Sequence, residues 1–388
     1  MPRQQRPIKQ CSDEDAAEYE TQATEGGEDD LFGLNGFESR WVSHHDYLLE
    51  RGYQLRPRFR PGWVRSWKGT HLYPEDCEDS WAAVSKLTLD AVRISDGRQV
   101  MIKKLIPSAE KPEHDVQKEL RMVQHLSAPT LRDDPRNHAM EYLDSFPIPN
   151  IPGGVFMVTA LYASWNRPEF ETIDQAIDCI RQILEGLAFL HENRIAHRDC
   201  TPPNIMMDLR PLVDEPFHPI RNACSLDGKY FIERRSRSEA PVRYFYIDFD
   251  LSTWFESEET EKAVLGKHGR VQAPELSDTI PYDPFMVDIF VIGTFLEQEF
   301  FKKYRGFGFL GPVIRQMKRD HPRRRPNAAQ VERSFLKLTA NISPRTRRWP
   351  LTPRRSGLTT AIAFSVKTFL NQFIFVFEKI FRFITSNT

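Results

Sequence analysis

An α+β fold is predicted, with a small strand-rich half preceding a mainly helical half. Three observations predict it. Residues 85–105 hold two strand-like runs joined by a glycine turn, residues 155–162 hold a third, and residues 172–192 read as one long amphipathic helix. The 388 residues suffice for one large domain or two modest ones. A net charge of −1 gives no overall field that favours nucleic acid, so none is expected as a partner.

The elements follow in chain order. Residues 1–38 carry Asp13, Glu14, Asp15, Glu18, Glu20, Glu25, Glu28, Asp29 and Asp30 with little to bury. They read as a disordered acidic tail. Residues 39–80, with "YQLRPRFRPGW", read as an extended arm packed on a domain surface. The domain itself is expected over 81–340. "SKLTLDAVRI" alternates as a strand, Gly97 in "SDG" allows a positive-φ turn, and "RQVMIKKL" is a second strand. "EHDVQKELRMVQHL" places Val116, Leu120, Val123 and Leu126 on one helical face. "VFMVTALY" is a buried strand after Gly153-Gly154. In "TIDQAIDCIRQILEGLAFLHE", Thr172 and Gln175 make a capping-box pattern, and Ile173, Ile177, Ile180, Leu184, Leu187 and Leu190 form the apolar stripe.

Five cysteines without metal-type spacing argue for a reducing compartment and against zinc. No apolar signal stretch opens the chain. A cytoplasmic protein is expected, with membrane association through its C-terminal end.

Directly after the long helix comes "RIAHRDCTPPN". His197, Arg198 and Asp199 stand together, and Asn204 follows five places after the aspartate. Alone, such a triplet is more often a charged turn. Here it is joined by "VMIK" with Lys103, by Glu119 in the next helix, by "IDFD" with Asp248 and Phe249, by "APE" at Ala273–Glu275, by "DIFVIG" with Asp288 and Gly293, and by Arg325. In that order, on those kinds of element, the set resembles the eukaryotic protein-kinase family over roughly residues 85–340.

The resemblance implies a bilobal fold, with a small β-rich N-lobe at about 81–161 and a mainly helical C-lobe at about 162–340. It implies ATP and Mg²⁺ as cofactors and a protein substrate. Lys103 would hold the α- and β-phosphates and Glu119 would orient it. Asn204 and Asp248 would hold the metal, and Asp199 would accept the proton of the acceptor hydroxyl. Met101, in the place of a small alanine, would roof the adenine, with Ala160 and Leu161 also binding the nucleotide. Glu275 and Arg325 would form a structural ion pair.

Several positions depart from the family pattern. "EDSWAAVSKLTLDAV" has no glycine where a glycine-rich turn should cover the phosphates. Asp250 replaces the glycine of Asp-Phe-Gly. Thr201 stands where serine/threonine kinases carry a lysine that contacts the transferred phosphate. Residues 205–247 replace a short hairpin, and their "IERRSRSEAPVR" is expected to loop out on the surface. The chain between Gly293 and Arg325 is short, so the helix that usually docks protein substrates is reduced. Around Ser257 and Thr260, Glu256, Glu258, Glu259 and Glu261 already carry negative charge. That favours an acidic loop needing no phosphate to meet Arg198.

Residues 341–357 read as a basic linker, and 358–388 as a Phe-rich amphipathic helix. Lys367, Glu378, Lys379 and Arg382 interrupt it, so it falls short of the about 18 apolar residues of a spanning helix. A membrane surface suits its broad apolar face, and a helix folded back on the domain is the plainer alternative. For function, a Ser/Thr-type protein kinase leads. A pseudokinase serving as a binding module comes second, favoured by the missing glycine loop. A small-molecule kinase of the aminoglycoside-phosphotransferase type comes third, against which Arg198, "APE" and Arg325 speak.

Overall fold

A computed structural model describes residues 5–7, 9–25, 30, 32–107, 116–257 and 262–355, with residues 366, 370 and 373 beyond them. The described residues form two compact units. The first draws on Met1–Glu110, Glu141–Ala163 and Leu209–Arg235, the second on Lys111–Met140, Ser164–Asp208 and Ser236–Thr388.

The first unit is built on a five-stranded antiparallel sheet of order β1-β2-β3-β5-β4. Its strands are β1 (Tyr53–Gln54), β2 (Thr88–Arg93), β3 (Gln99–Leu105), β4 (Tyr142–Pro147) and β5 (Val155–Ala160). The β2–β3 turn closes as expected, with Gly97 at φ 70° donating its N–H to the Arg93 carbonyl at 2.9 Å. Alternation along β3 sends Val100, Ile102 and Lys104 to one face and Gln99, Met101 and Lys103 to the other. The first face packs into a core with Trp41, Leu48, Phe59, Phe156 and Val158. Lys104 is buried with it, its Nζ 3.8 Å from the centre of the Trp41 ring. Burial, then the charge of Arg40, lowers its pKa to about 8.

Residues 39–80 are therefore no surface arm. They supply α2 (Gly36–Val42), α3 (His45–Glu50), strand β1 and a share of the hydrophobic core. Their apolar residues follow neither helical nor strand spacing, which hid this role. The stretch expected as a disordered tail holds α1 (Asp13–Glu25), preceded by chain that pairs with distant segments: Arg6 N–H donates to the Lys229 carbonyl and Cys11 N–H to that of His71. Asn35 caps α2, its Oδ1 accepting from Glu38 N–H at 2.9 Å. Glu38 is fully buried against Arg58, at 2.8 and 3.0 Å. Burial alone would raise its carboxyl pKa, but Arg58 holds it below the usual value.

Residues 55–87 connect β1 to β2 as a folded excursion with three short 3₁₀ turns. The insert also departs from expectation. Leu209, Leu212, Phe217, His218, Cys224 and Ile232 are buried, and 209–235 belongs to the first unit. Isolated bridges Phe217↔Ser225 and Cys224↔Phe231 hold it without a regular strand that a period-two pattern would reveal.

β6 (Ala163–Ser164) follows β5, and the second unit is mainly helical. It contains α4 (Val116–Leu126), α5 (Pro129–Arg132), α6 (Ile173–Glu192), α7 (Pro284–Leu296), α8 (Gly311–Met317), α9 (Ala328–Ala340) and α10 (Pro344–Arg347). Short strands β7 (Ile195–Ala196) and β10 (Thr253–Trp254) pair, as do β8 (Ile205–Met207) and β9 (Tyr244–Tyr246). α4 thus groups with the helical unit, not with the expected N-lobe of 81–161. The stripe on α6 is buried as expected, and so are Ala176, Cys179 and Ile183 between its members. Thr172 caps α6 by accepting from Gln175 N–H at 3.4 Å. The reciprocal bond goes one residue earlier, Gln175 Oε1 taking the Glu171 N–H at 2.8 Å. "IERRSRSEAPVR" packs instead of looping out: Arg237 donates to the carbonyls of Trp165 and Glu169, and its guanidinium lies 4.4 Å from the Phe170 ring centre.

Among the described residues, no helix is long and apolar enough to cross a membrane. The expected C-terminal amphipathic helix lies outside the described residues except for Val366, Leu370 and Phe373, which are exposed. Thr260 and the glutamates at 258, 259 and 261 also lie outside them.

Candidate active site

The loop after α6 is set by one buried carboxylate. Asp288, in the mainly apolar helix α7, is fully buried. It accepts from the backbone N–H of His197 at 2.8 Å and of Arg198 at 2.7 Å, and lies 3.0 Å from His191 Nε2. Those bonds hold Arg198 at φ 65°, a region an L side chain seldom enters. His197 Nδ1 accepts from Asp199 N–H at 3.3 Å, so its Nε2 carries the proton and donates to the Ile247 carbonyl at 3.0 Å. This bond fixes the residue before Asp248, and the His197 ring lies 5.0 Å from that of Phe249.

Asp199 is aimed by its neighbours. Asn204 Nδ2 donates to the Asp199 carboxylate and to its carbonyl, both at 2.9 Å. With its amide nitrogen so committed, Asn204 turns Oδ1 towards Arg270 Nη1 at 3.3 Å and keeps a second lone pair on that oxygen. Asp248 is half-buried at φ 64°, a left-handed position like Arg194 and Arg198. The structure thus gathers Asp199, Asn204 and Asp248 on adjoining loops of one unit. Asn204 and Asp248 offer oxygen donors alone, which is the donor set a hard Mg²⁺ ion requires. Asp250 beside them is half-buried.

Glu275 and Arg325 form the ion pair the motif implies. Arg325 Nη2 lies 2.9 Å from Glu275 Oε2 and Nη1 bonds Oε1, while Nη1 also reaches the Met286 carbonyl at 2.8 Å. The Arg198 guanidinium is already engaged by neutral acceptors: the carbonyls of Leu251 and Leu265, Thr253 Oγ1 and the Tyr282 hydroxyl.

Lys103 and Met101 lie on the sheet face away from the first unit's core. Lys103 stands opposite Thr88 and Met157, and Met101 opposite Asp90 and Thr159. Ala160 pairs with Val100, so its Cβ points to the core face; Leu161 is buried just after it. Glu119 is a buried residue of α4, not a solvated helix charge.

The sequence reading missed two features. Asp90 beside Met101 is buried in a polar network. Arg56 Nε meets its carboxylate at 3.0 and 3.1 Å, Arg56 Nη1 meets Glu78 at 2.9 Å, and Glu78 lies 3.0 Å from His218 Nε2. Gln99 grips the Phe217 backbone at N–H and carbonyl, at 3.1 and 2.7 Å. An arginine-acid pattern so spread out in sequence gives no local signal. The second feature is Arg270, whose backbone N–H donates to Asp199 Oδ1 at 3.0 Å and whose Nη1 meets Oδ2 at 3.2 Å. A basic residue three places before "APE" was the available clue.

With this geometry in place, comparison with known proteins decides the family. A model described as the protein kinase domain matches residues 85–307. The chain belongs to the protein kinase family. This kinase domain is similar to the serine/threonine-protein kinase AFC1 of Arabidopsis thaliana, 30% identical over 124 residues, covering 32% of this chain and 25% of that protein. It is similar also to the serine/threonine-protein kinase CAK1 of Saccharomyces cerevisiae, 56% identical over 32 residues, 8% of this chain and 9% of that protein. The chain spans a quarter or less of the length of these curated relatives. A crystal structure of the Rad53 kinase domain and SCD2 in complex with AMPPNP matches at 15% identity and a TM-score of 0.38, over 66% of this chain and 88% of that one.

Proposed function

We propose that the kinase domain transfers the γ-phosphoryl group of Mg²⁺-bound ATP to a serine or threonine hydroxyl of a protein. The observation that carries this reading is the Asp199–Asn204 pair, held at 2.9 Å on a loop anchored by Asp288. A carboxylate oriented in this way can accept the proton of an attacking hydroxyl. The bond from the γ-phosphorus to the bridging oxygen breaks, and its electron pair leaves with ADP. A bond from the acceptor oxygen to phosphorus forms, and the acceptor's proton passes to Asp199. Bound Mg²⁺ supplies charge neutralisation on the phosphates. Asn204 Oδ1 and the Asp248 carboxylate are the residues to hold it, and the Lys103 ammonium is the group to meet the α- and β-phosphates.

Full-length protein mixed with Mg-ATP and dephosphorylated protein substrates should transfer phosphate. Asp199→Asn should slow it about 10²–10⁴-fold, the usual worth of a positioned acid or base. Lys103→Met should do likewise. Transfer unchanged in Asp199→Asn would sink the reading.

One observation favours a second reading, a pseudokinase that binds partners without efficient transfer. On the face of β2 and β3 that carries Met101, the neighbouring Asp90 is closed off by Arg56, Glu78 and His218. Adenine stacks against apolar side chains, and a buried carboxylate tied to arginine is a poor roof for it. Calorimetry separates the two: binding of Mg-ATP below millimolar Kd supports transfer, and no binding supports the second reading.

A further inference from the structure

We propose that Arg270 is the phosphate-contacting cation of this kinase, taking the place of the lysine absent at Thr201. The inference rests on the phosphotransfer reading above and assigns that site a further catalytic residue. Arg270 Nη1 lies 3.2 Å from Asp199 Oδ2, 3.4 Å from Thr201 Oγ1 and 3.3 Å from Asn204 Oδ1. The charge therefore sits against residue 201 itself, next to the base, although it comes from a segment far along the chain. Thr201 is buried, and its hydroxyl meets the guanidinium directly.

The backbone is built to deliver it. Gly269 has φ 88°, and a Cβ there would stand 2.8 Å from the Arg198 carbonyl oxygen. Only glycine lets the chain pass so close to the loop. The next N–H then bonds Asp199 Oδ1, which fixes where the Arg270 side chain starts.

The guanidinium is also arranged to receive something more. Its contacts to the loop all run through Nη1, and among the described residues Nε and Nη2 have no hydrogen-bond partner. Its side chain remains about half exposed, at 55%. Arginine presents five N–H donors in a rigid fork that matches two oxygens of a phosphoryl group. Nε and Nη2 are that free edge. During transfer, charge spreads over the equatorial oxygens of the moving phosphoryl group, and a cation fixed beside Asp199 stabilises it there.

The test uses the full-length protein, Mg-ATP and a dephosphorylated protein mixture, with Arg270→Ala, Arg270→Lys and the double variant Arg270→Ala/Thr201→Lys. Arg270→Ala should lower kcat by roughly 10²–10³-fold, the cost of removing one transition-state donor. KM for ATP should stay within about threefold, because the contact strengthens only as charge develops. Arg270→Lys should recover part of the rate. Thr201→Lys in the alanine background should recover more than tenfold, since it returns a cation to the same place. A purely structural arginine would not be rescued from residue 201. Arg270→Ala with the wild-type rate or a higher one overturns the proposal and leaves phosphotransfer standing. A wild-type protein that binds Mg-ATP but transfers nothing overturns phosphotransfer and this proposal with it.

Discussion

Asp288 and Asp90 are both buried carboxylates, and they organise their surroundings in opposite ways. Asp288 is met by backbone: the N–H groups of His197 and Arg198 converge on it and set the course of the loop that carries Asp199. Asp90 is met by a side chain, Arg56, which is tied in turn to Glu78 and so to His218. These partners come from residues 55–87 and from the insert at 205–247. The first arrangement keeps a reactive loop in place. The second closes a strand face. The difference teaches that the loop of Asp199 and the strand face of Met101 are under separate physical constraints, so one can keep its family pattern while the other is rebuilt.

The largest effect should come from Asp288→Ala. It leaves two backbone donors and His191 without an acceptor in a fully buried place. Each buried unsatisfied donor costs about 1–3 kcal/mol, so a loss of about 3–5 kcal/mol in unfolding free energy is expected from urea titration followed by tryptophan fluorescence. A loss under about 1 kcal/mol would mean that the loop holds itself and would break the comparison at its stronger end.

Arg56→Ala should cost less, about 2–4 kcal/mol, by leaving Asp90 and Glu78 buried without their cation. The sharper test is the pair Arg56→Met with Asp90→Val. Replacing both charges by apolar groups should regain part of that loss, because the desolvation of Arg56 and Asp90 goes with them while Glu78 keeps only His218. If the network also excludes adenine, the double variant should bind Mg-ATP more tightly than the wild type. Equal affinity would show that this face does not govern nucleotide access.

These two carboxylates also mark what the sequence could disclose. Asp288, His197, Asp199, Asn204, Glu275 and Arg325 were legible because the family's chemistry fixes residue types at short, ordered spacings. The antiparallel β2–β3 pair and α6 were legible from periodicity and a turn glycine. Arg56, Glu78, Asp90 and His218 were not, because a salt-bridge network needs only spatial convergence and leaves no period behind. The core role of Trp41 and Phe59 was hidden for the same reason: irregular chain buries aromatics without repeating them. Arg270 lay between. Its neighbour "APE" was recognised, yet nothing local says that Gly269 turns the side chain back onto Asp199.

The smallest predicted effect tests whether the strand unit is the more acid-sensitive of the two regions. His44 packs edge-on against Phe156, with ring centres 5.2 Å apart. Burial, and then the charge of Lys104, lowers its pKa to about 4 from an ordinary value near 6.5. The folded state therefore holds this imidazole neutral, while the unfolded chain takes up a proton below about pH 6.5. Its contribution to stability is complete above pH 6.5 and is lost as pH falls towards 4. Burial lowers the His218 pKa in the same direction, so the two add. The His44 site is only half-buried, and solvent screening reduces the effect to about 1 kcal/mol between pH 7 and pH 5. His44→Phe keeps the ring and removes the titration. Thermal unfolding at the two pH values should show a smaller fall in Tm for His44→Phe than for the wild type. Equal falls would place the acid sensitivity elsewhere and remove His44 from the comparison.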